Sequence, residues 1–71
     1  RRSSDLDEIL AVHGALETLA KIDPRLVQVV EMRYFAGLSD TDIGAALGIN
    51  ERTVRRDWAR ARLLLADMLG R

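Results

Sequence analysis

The last third of the chain carries arginines at spacings that place them on one side of a helix. They are Arg52, Arg55, Arg56, Arg60 and Arg62. Because residues four positions apart are neighbours on a helix, Arg52, Arg56 and Arg60 form one line. A guanidinium group donates a fork of hydrogen bonds to guanine O6 and N7 in the major groove of DNA. The spacing therefore favours contact with bases and phosphates over catalysis.

The candidate residues on this face have two expected roles, which depend on their positions: reading bases and contacting phosphates. The side chains expected to read bases are Arg55, Arg56, Ala59 and Arg60. Ala59 is small enough to let the helix lie deep in the groove, and its methyl group suits the methyl group of thymine. The side chains expected to contact phosphates are Arg52, Thr53 and Arg62, joined by Thr41 where the preceding helix begins and its backbone amides point outward.

An arginine-rich helical face can also be an ordinary solvated surface, which is the commoner case for an arbitrary helix. Asp57 adds to the ambiguity because it interrupts the basic run. Its basic neighbour at helical spacing is Arg60, so the sequence predicts either an Asp57–Arg60 pair or a carboxylate that repels phosphate.

The segment before the arginines favours DNA binding because it has the pattern of a helix-turn-helix. Ser39 suits a helix N-cap, and Gly48 suits the left-handed residue that ends a short helix. Ile49 fills the turn, Asn50 caps the arginine-bearing helix, and Gly44 is small where the two helices cross closely. The second helix of such a motif lies in the major groove, which matches the position of the arginines.

Helical periodicity extends through the chain, and no stretch alternates in the manner of a strand. The sequence predicts an all-α fold of four helices with a C-terminal helix-turn-helix. Residues 1–5 are expected to form an N-terminal tail, and residues 6–71 a single DNA-binding domain. The 71 residues suffice for one small core, and we expect them to be a piece of a longer protein.

Capping residues and apolar spacing predict the individual helices. Ser4 is the expected N-cap of the first helix, and Trp58 is expected to anchor the core from the last one. The buried face of the second helix is predicted to comprise Leu26, Val27, Val30 and Tyr34. The predicted helices are residues 6–22, a segment begun by Asp23 and Pro24 and ended by Gly37, a short helix after Ser39, and residues 51–69.

Charge is distributed unevenly although the formal net charge is zero. Residues 3–51 contain nine acidic and three basic side chains, whereas residues 52–71 contain six basic and two acidic ones. We therefore expect one face to attract phosphate while the rest of the surface avoids it.

The chain lacks the residues that several classes of function require. The chain has no cysteine and a single histidine, His13, so we predict no metal site and no cofactor. No nucleophile stands beside a base and no glycine-rich phosphate loop occurs, so we predict that the protein is not an enzyme. No apolar run approaches the ~20 residues that span a bilayer, and we expect a cytoplasmic protein without a membrane partner.

Six short runs occur in a characteristic order. They are Asp23-Pro24-Arg25, residues 29–39, Asp42-Ile43-Gly44, Leu47-Gly48-Ile49, Thr53-Val54-Arg55 and Arg60-Ala61-Arg62. Together they resemble region 4 of bacterial RNA polymerase sigma factors, most closely those of the extracytoplasmic-function group. The resemblance covers residues 6–69, nearly the whole chain.

The resemblance implies promoter recognition in transcription initiation. Region 4 of such factors binds the −35 promoter element through its last helix, and the matching base-facing positions are Arg55, Arg56, Ala59 and Arg60. The matching phosphate contacts are Arg52 and Thr53. The resemblance also implies docking on the β-subunit flap of core RNA polymerase, and anti-sigma proteins as further partners. Many members have a small residue in place of Arg56 and an arginine in place of Asp57, so the bases read here are expected to differ.

Two other functions remain open at this stage. One is the DNA-binding output domain of a two-component or quorum-type regulator, which would dimerise through a last helix such as the one ending in Leu63-Leu64-Leu65. The other is a helical protein-interaction module in which the arginines meet acidic partners. The sequence upstream of this chain discriminates between the first alternative and a sigma factor.

Overall fold

The structure is a computed structural model that describes residues 2–70 of the chain, and residues 9–70 for side-chain environments. The described residues contain four α-helices and one π-helical turn. The elements are α1 (Arg2–Ile22), α2 (Pro24–Val30), the π-helical turn (Glu31–Phe35), α3 (Asp40–Leu47) and α4 (Glu51–Met68). No strand occurs among residues 2–70, so the predicted all-α fold is confirmed. The arrangement of α3, the turn at Gly48 and α4 is compatible with a helix-turn-helix.

The first helix begins earlier than its capping pattern predicts. It starts at Arg2 rather than near residue 6, so residues 2–5 are helical instead of forming a tail, and Ser4 lies inside the helix. No glycine or proline precedes Gly14, so no residue with a strong helix-breaking preference stops the helix from extending toward the N-terminus.

The N-terminus of α2 follows the prediction. Asp23 has an extended backbone, and its carboxylate oxygen Oδ1 accepts a hydrogen bond of 3.0 Å from the backbone amide of Arg25. Pro24 occupies the first helical position, where its missing amide proton costs nothing. The cap therefore fixes where α2 begins and brings Arg25 into the first turn.

The C-terminal end of the second helical segment departs from the prediction. In the π-helical turn the amide of Ala36 bonds the carbonyl of Glu31 at 3.0 Å, which closes a wider loop than an α-helical turn. One additional residue in the turn rotates the following side chains away from the buried stripe. Tyr34, predicted to be buried, is consequently 71% exposed, and Phe35 is 61% exposed. The two rings stack edge to face, with centroids 5.2 Å apart.

The core lies along α4, which packs against each of the other three helices. One apolar cluster joins α1, α2 and α4, and its buried members are Leu19, Leu26, Val30 and Ala61. A second cluster joins α2, α3 and α4, and its buried members are Val29, Ile43 and Val54. Trp58 packs against both clusters, which confirms its predicted place as a core anchor. The position of α4 is thus fixed from two sides.

Candidate nucleic-acid interface

The starts of α3 and α4 are capped by side-chain hydrogen bonds that the sequence predicts. The Ser39 hydroxyl accepts from the amide of Asp42 at 3.1 Å, and the Asn50 side chain accepts from the amide of Arg52 at 2.7 Å. Gly48 has a φ of 69°, in the left-handed region that glycine occupies without strain. Each helix start is therefore set by the capping residue that precedes it, and the turn between the helices by Gly48.

Gly44 allows α3 to approach α4 closely. A Cβ atom at this position would lie 2.8 Å from the carbonyl oxygen of Ile49, closer than nonbonded atoms pack. The same atom would lie 3.7 Å from a side-chain methyl carbon of Val54. The crossing predicted from the small residue is therefore present, and it fixes the angle at which α4 leaves the turn.

The predicted base-reading residues share the solvent-facing side of α4. Arg55, Arg56, Ala59 and Arg60 are all exposed. The opposite side of the helix carries Val54, Asp57 and Ala61, which are buried. A helix anchored along one side presents the other as a fixed surface, which we call the arginine face.

The predicted phosphate contacts occupy less uniform positions. Arg52 is exposed at the start of α4, and Thr53 is half-buried beside it. Arg62 is exposed too. Together with Trp58 and Leu65 it lines an apolar groove between α1 and α4, so it lies toward the side of α4 that packs on α1. Thr41 is exposed in the first turn of α3, and its hydroxyl already has a partner.

That partner is Glu51, a residue that the sequence interpretation overlooked. The Thr41 hydroxyl donates to Glu51 Oε1 at 2.9 Å, and Arg55 Nη1 donates to Glu51 Oε2 at 2.8 Å. One carboxylate therefore joins the first turn of α3 to the first turn of α4. The spacing of Glu51 and Arg55, four residues apart, indicates the second contact, but the first depends on how α3 and α4 cross.

Asp57 has a different environment from the one predicted. It is 4% exposed, and Arg25 of α2 lies beside it rather than Arg60. Arg25 Nε is 2.8 Å from Asp57 Oδ2 without hydrogen-bond alignment, and Arg25 Nη2 donates a long hydrogen bond of 3.4 Å to Oδ1. Both predictions for Asp57, a pair with Arg60 and an exposed carboxylate facing phosphate, are therefore wrong. The signal was available, because Asp57 follows Val54 by three residues and precedes Ala61 by four, which places it on the buried side.

Arg33 is a second positioning residue that the sequence interpretation missed. Its guanidinium group forms an ion pair with Asp40 at the start of α3. The same group lies 5.5 Å from the centroid of the Trp58 ring, within the range of a cation–π contact. Arg33 therefore ties the π-helical turn to both α3 and α4.

The sequence of the chain matches the family model described as ECF sigma factor over residues 2–70. The chain belongs to the ECF sigma factor family. Comparison with curated proteins and with solved structures gives no significant match. Membership confirms the resemblance drawn from the sequence and supports a sigma-factor role in transcription initiation, which involves DNA and RNA polymerase in general.

An apolar groove lies on another side of this sigma factor domain. It runs between α1, the π-helical turn and α4, and Val12, Leu16, Phe35 and Leu65 line it. The exposed ring of Tyr34 stands at its edge. The domain thus carries two chemically distinct surfaces, the arginine face and this groove.

Neither a metal-ion site nor a membrane-spanning helix occurs in the described part of the sigma factor domain. Among those residues no group of three histidine, cysteine, aspartate or glutamate side chains is arranged to hold a metal ion. None of the described helices combines the length and apolar character needed to cross a membrane.

Proposed function

We propose that this domain recognises the −35 element of bacterial promoters by placing α4 in the DNA major groove. The observation that carries the proposal is the division of α4 into two sides. Val54, Asp57 and Ala61 are buried against the rest of the domain, whereas Arg56 and Arg60 are exposed on the arginine face. An anchored helix with an exposed basic side is the form in which recognition helices enter the groove.

In this proposal the residues of α4 have separate roles. Arg55, Arg56 and Arg60 donate to base edges, and Ala59 allows the helix to approach them. The positively charged Arg52 and Arg62 attract phosphates, and the hydroxyl groups of Thr41 and Thr53 add polar contacts along the backbone. The proposal assigns the domain no catalytic step and no cofactor.

We further propose that the apolar groove docks on the β-subunit flap of core RNA polymerase, in the bacterial cytoplasm. Tyr34 and Phe35 support this assignment because exposed apolar side chains beside a groove are typical of protein-binding surfaces. An anti-sigma protein would inhibit the domain by covering either the groove or the arginine face. Family membership favours this function over that of a two-component or quorum-type output domain.

The DNA-binding part is tested by selecting duplexes from a randomised pool and measuring affinity for a selected and a scrambled duplex. Arg56→Ala or Arg60→Ala should lose about 1–3 kcal/mol of discrimination at one base position, since each removes a base contact. Arg52→Ala should weaken binding to both duplexes and lower the salt slope by about one. Lys21→Ala is the control, because it removes the same charge from an exposed position at the end of α1.

The result that contradicts the proposal is a selected pool without sequence preference. Equal effects of Arg56→Ala and Lys21→Ala on discrimination would contradict the assignment of Arg56 to base reading. Docking is tested separately, by binding of the purified flap to the wild-type chain and to Phe35→Ser. Unchanged flap affinity in that variant would contradict the use of the groove.

A further inference from the structure

Glu51 is an acidic residue that lies between Thr41 of α3 and Arg55 of the arginine face. It occupies the first position of α4, directly after the Asn50 cap and beside Arg52. Its carboxylate accepts from Thr41 at 2.9 Å and from Arg55 at 2.8 Å. The sequence predicts that Thr41 and Arg55 both contact DNA. In the free domain each of them donates a hydrogen bond to Glu51 instead.

These contacts are exposed to solvent, so water or DNA can replace Glu51 as the partner of Thr41 and Arg55. The Glu51 and Arg55 side chains are 48% and 55% exposed, and exposed pairs of this kind are weakened by water and salt. The contact holds Arg55 through one terminal nitrogen, Nη1, which leaves its other guanidinium donors available. The contact thus biases Arg55 toward one orientation without fully neutralising it.

Sequence-specific and non-specific complexes make different demands on such a residue. A non-specific complex relies on arginines that swing freely to phosphates, whereas a specific complex relies on arginines already aimed at base edges. A carboxylate that restrains Arg55 disfavours the first complex more than the second. Its own charge also repels phosphate when α4 is not seated in the groove.

We propose that Glu51 is a positioning residue that raises the specificity of DNA recognition by keeping Arg55 off the phosphate backbone. The proposal rests on the proposed function of α4 as the recognition helix. Glu51 contributes no base contact of its own; it acts through the orientation of Arg55. Neutralising it therefore strengthens binding to unrelated DNA while the preference for the correct site falls.

The test compares the wild-type chain with Glu51→Gln on a selected and a scrambled duplex over a range of salt concentrations. Glu17→Gln is the matched control, because it makes the same change at an exposed position on α1. At low salt Glu51→Gln should bind the scrambled duplex about three- to tenfold more tightly than Glu17→Gln does, the scale of one added phosphate contact. Its salt slope should steepen by about one, and its ratio of selected to scrambled affinity should fall at least about threefold.

A second measurement separates positioning from a purely structural effect. The guanidinium NMR signal of Arg55 in the free chain should show a restrained side chain in the wild type and in Glu17→Gln, and a mobile one in Glu51→Gln. Thermal unfolding should be nearly unchanged, because Glu51 is exposed and the Asn50 cap is retained.

The outcomes distinguish this proposal from the proposed function. If the wild type prefers the selected duplex and Glu51→Gln behaves as Glu17→Gln does, the role of Glu51 is refuted while recognition by α4 stands. A weaker selected complex with an unchanged scrambled one also refutes it, since Glu51 would then contact DNA directly. If neither the wild type nor Glu51→Gln binds any duplex, both proposals fail together.

Discussion

The ion pair between Arg25 and Asp57 offers a sharp test of how α4 is held, because its two members differ in exposure. The Asp57 side chain is 6% exposed, whereas that of Arg25 is 42% exposed. Removing Arg25 leaves a carboxylate inside the domain without its partner. Removing Asp57 leaves a guanidinium group that can turn toward water. Arg25→Gln should therefore destabilise the domain more than Asp57→Asn, whereas both substitutions would cost little if Asp57 were exposed.

The expected changes in the free energy of unfolding follow from this difference in exposure between Arg25 and Asp57. Leaving a buried charge unpaired costs about 3–5 kcal/mol, and an exposed pair is worth about 0–1 kcal/mol. Because Arg25 is partly exposed, we place Arg25→Gln at about 2–3 kcal/mol and Asp57→Asn at about 1 kcal/mol. The double variant leaves no unpaired charge and should cost about 1–1.5 kcal/mol, so the coupling free energy is about 2 kcal/mol.

These changes are large for a domain of this size. At about 0.05–0.15 kcal/mol per residue, the free energy of unfolding of the whole domain is about 4–11 kcal/mol. A loss of 2 kcal/mol should lower Tm by roughly 8–16 °C. All four proteins of the cycle should unfold in urea with the same slope, since the surface exposed on unfolding is unchanged.

The assay uses the fluorescence of Trp58, the single tryptophan of the chain, which packs at the centre of α4. A coupling free energy below about 0.5 kcal/mol would refute the claim that Arg25 and Asp57 interact across the interior. A larger cost for Asp57→Asn than for Arg25→Gln would refute the reasoning from exposure. DNA binding gives an independent check: Asp57→Asn should leave the salt slope unchanged, whereas a carboxylate facing phosphate would make the slope steeper on neutralisation.

Three smaller predictions concern the glycines and the cap of α4. Gly44→Ala should destabilise the domain by about 1–3 kcal/mol because its Cβ meets the Ile49 carbonyl oxygen at 2.8 Å, and an unchanged Tm would contradict the close crossing. Gly14→Ala should stabilise it by about 0.5–1 kcal/mol, since nothing lies within 4 Å of the added atom; a lower Tm would show a contact there. Asn50→Ala should cost about 1 kcal/mol in a urea melt, because the Arg52 amide loses its acceptor, and Asn50→Ser should restore most of it.

Local signals account for most of what the sequence predicts correctly. Asp23, Ser39 and Asn50 each cap a helix through an amide two or three residues away, so their effect is contained in a few neighbouring residues. Gly48 adopts its left-handed conformation for the same local reason. The spacing of apolar residues also places Trp58 in the core, because α4 is long enough for its periodicity to be unambiguous.

Features set by other elements could not be predicted in the same way. The ion pair of Arg25 with Asp57 joins residues 32 positions apart, and no local pattern in the sequence indicates that they meet. The bond from Thr41 to Glu51 likewise depends on how two helices cross. Tyr34 is exposed because a single π-helical turn changes the helical phase, which apolar spacing alone does not reveal.

The most direct test of recognition by α4 is a titration of isotope-labelled chain with a selected −35-like duplex at low salt, followed through backbone amide shifts. Phosphate contacts weaken steeply as salt rises, so low salt retains the complex. We expect shifts concentrated at residues 52–60 and around Thr41 at the start of α3. Saturating DNA that leaves those amides unshifted would contradict the assignment of the arginine face to DNA.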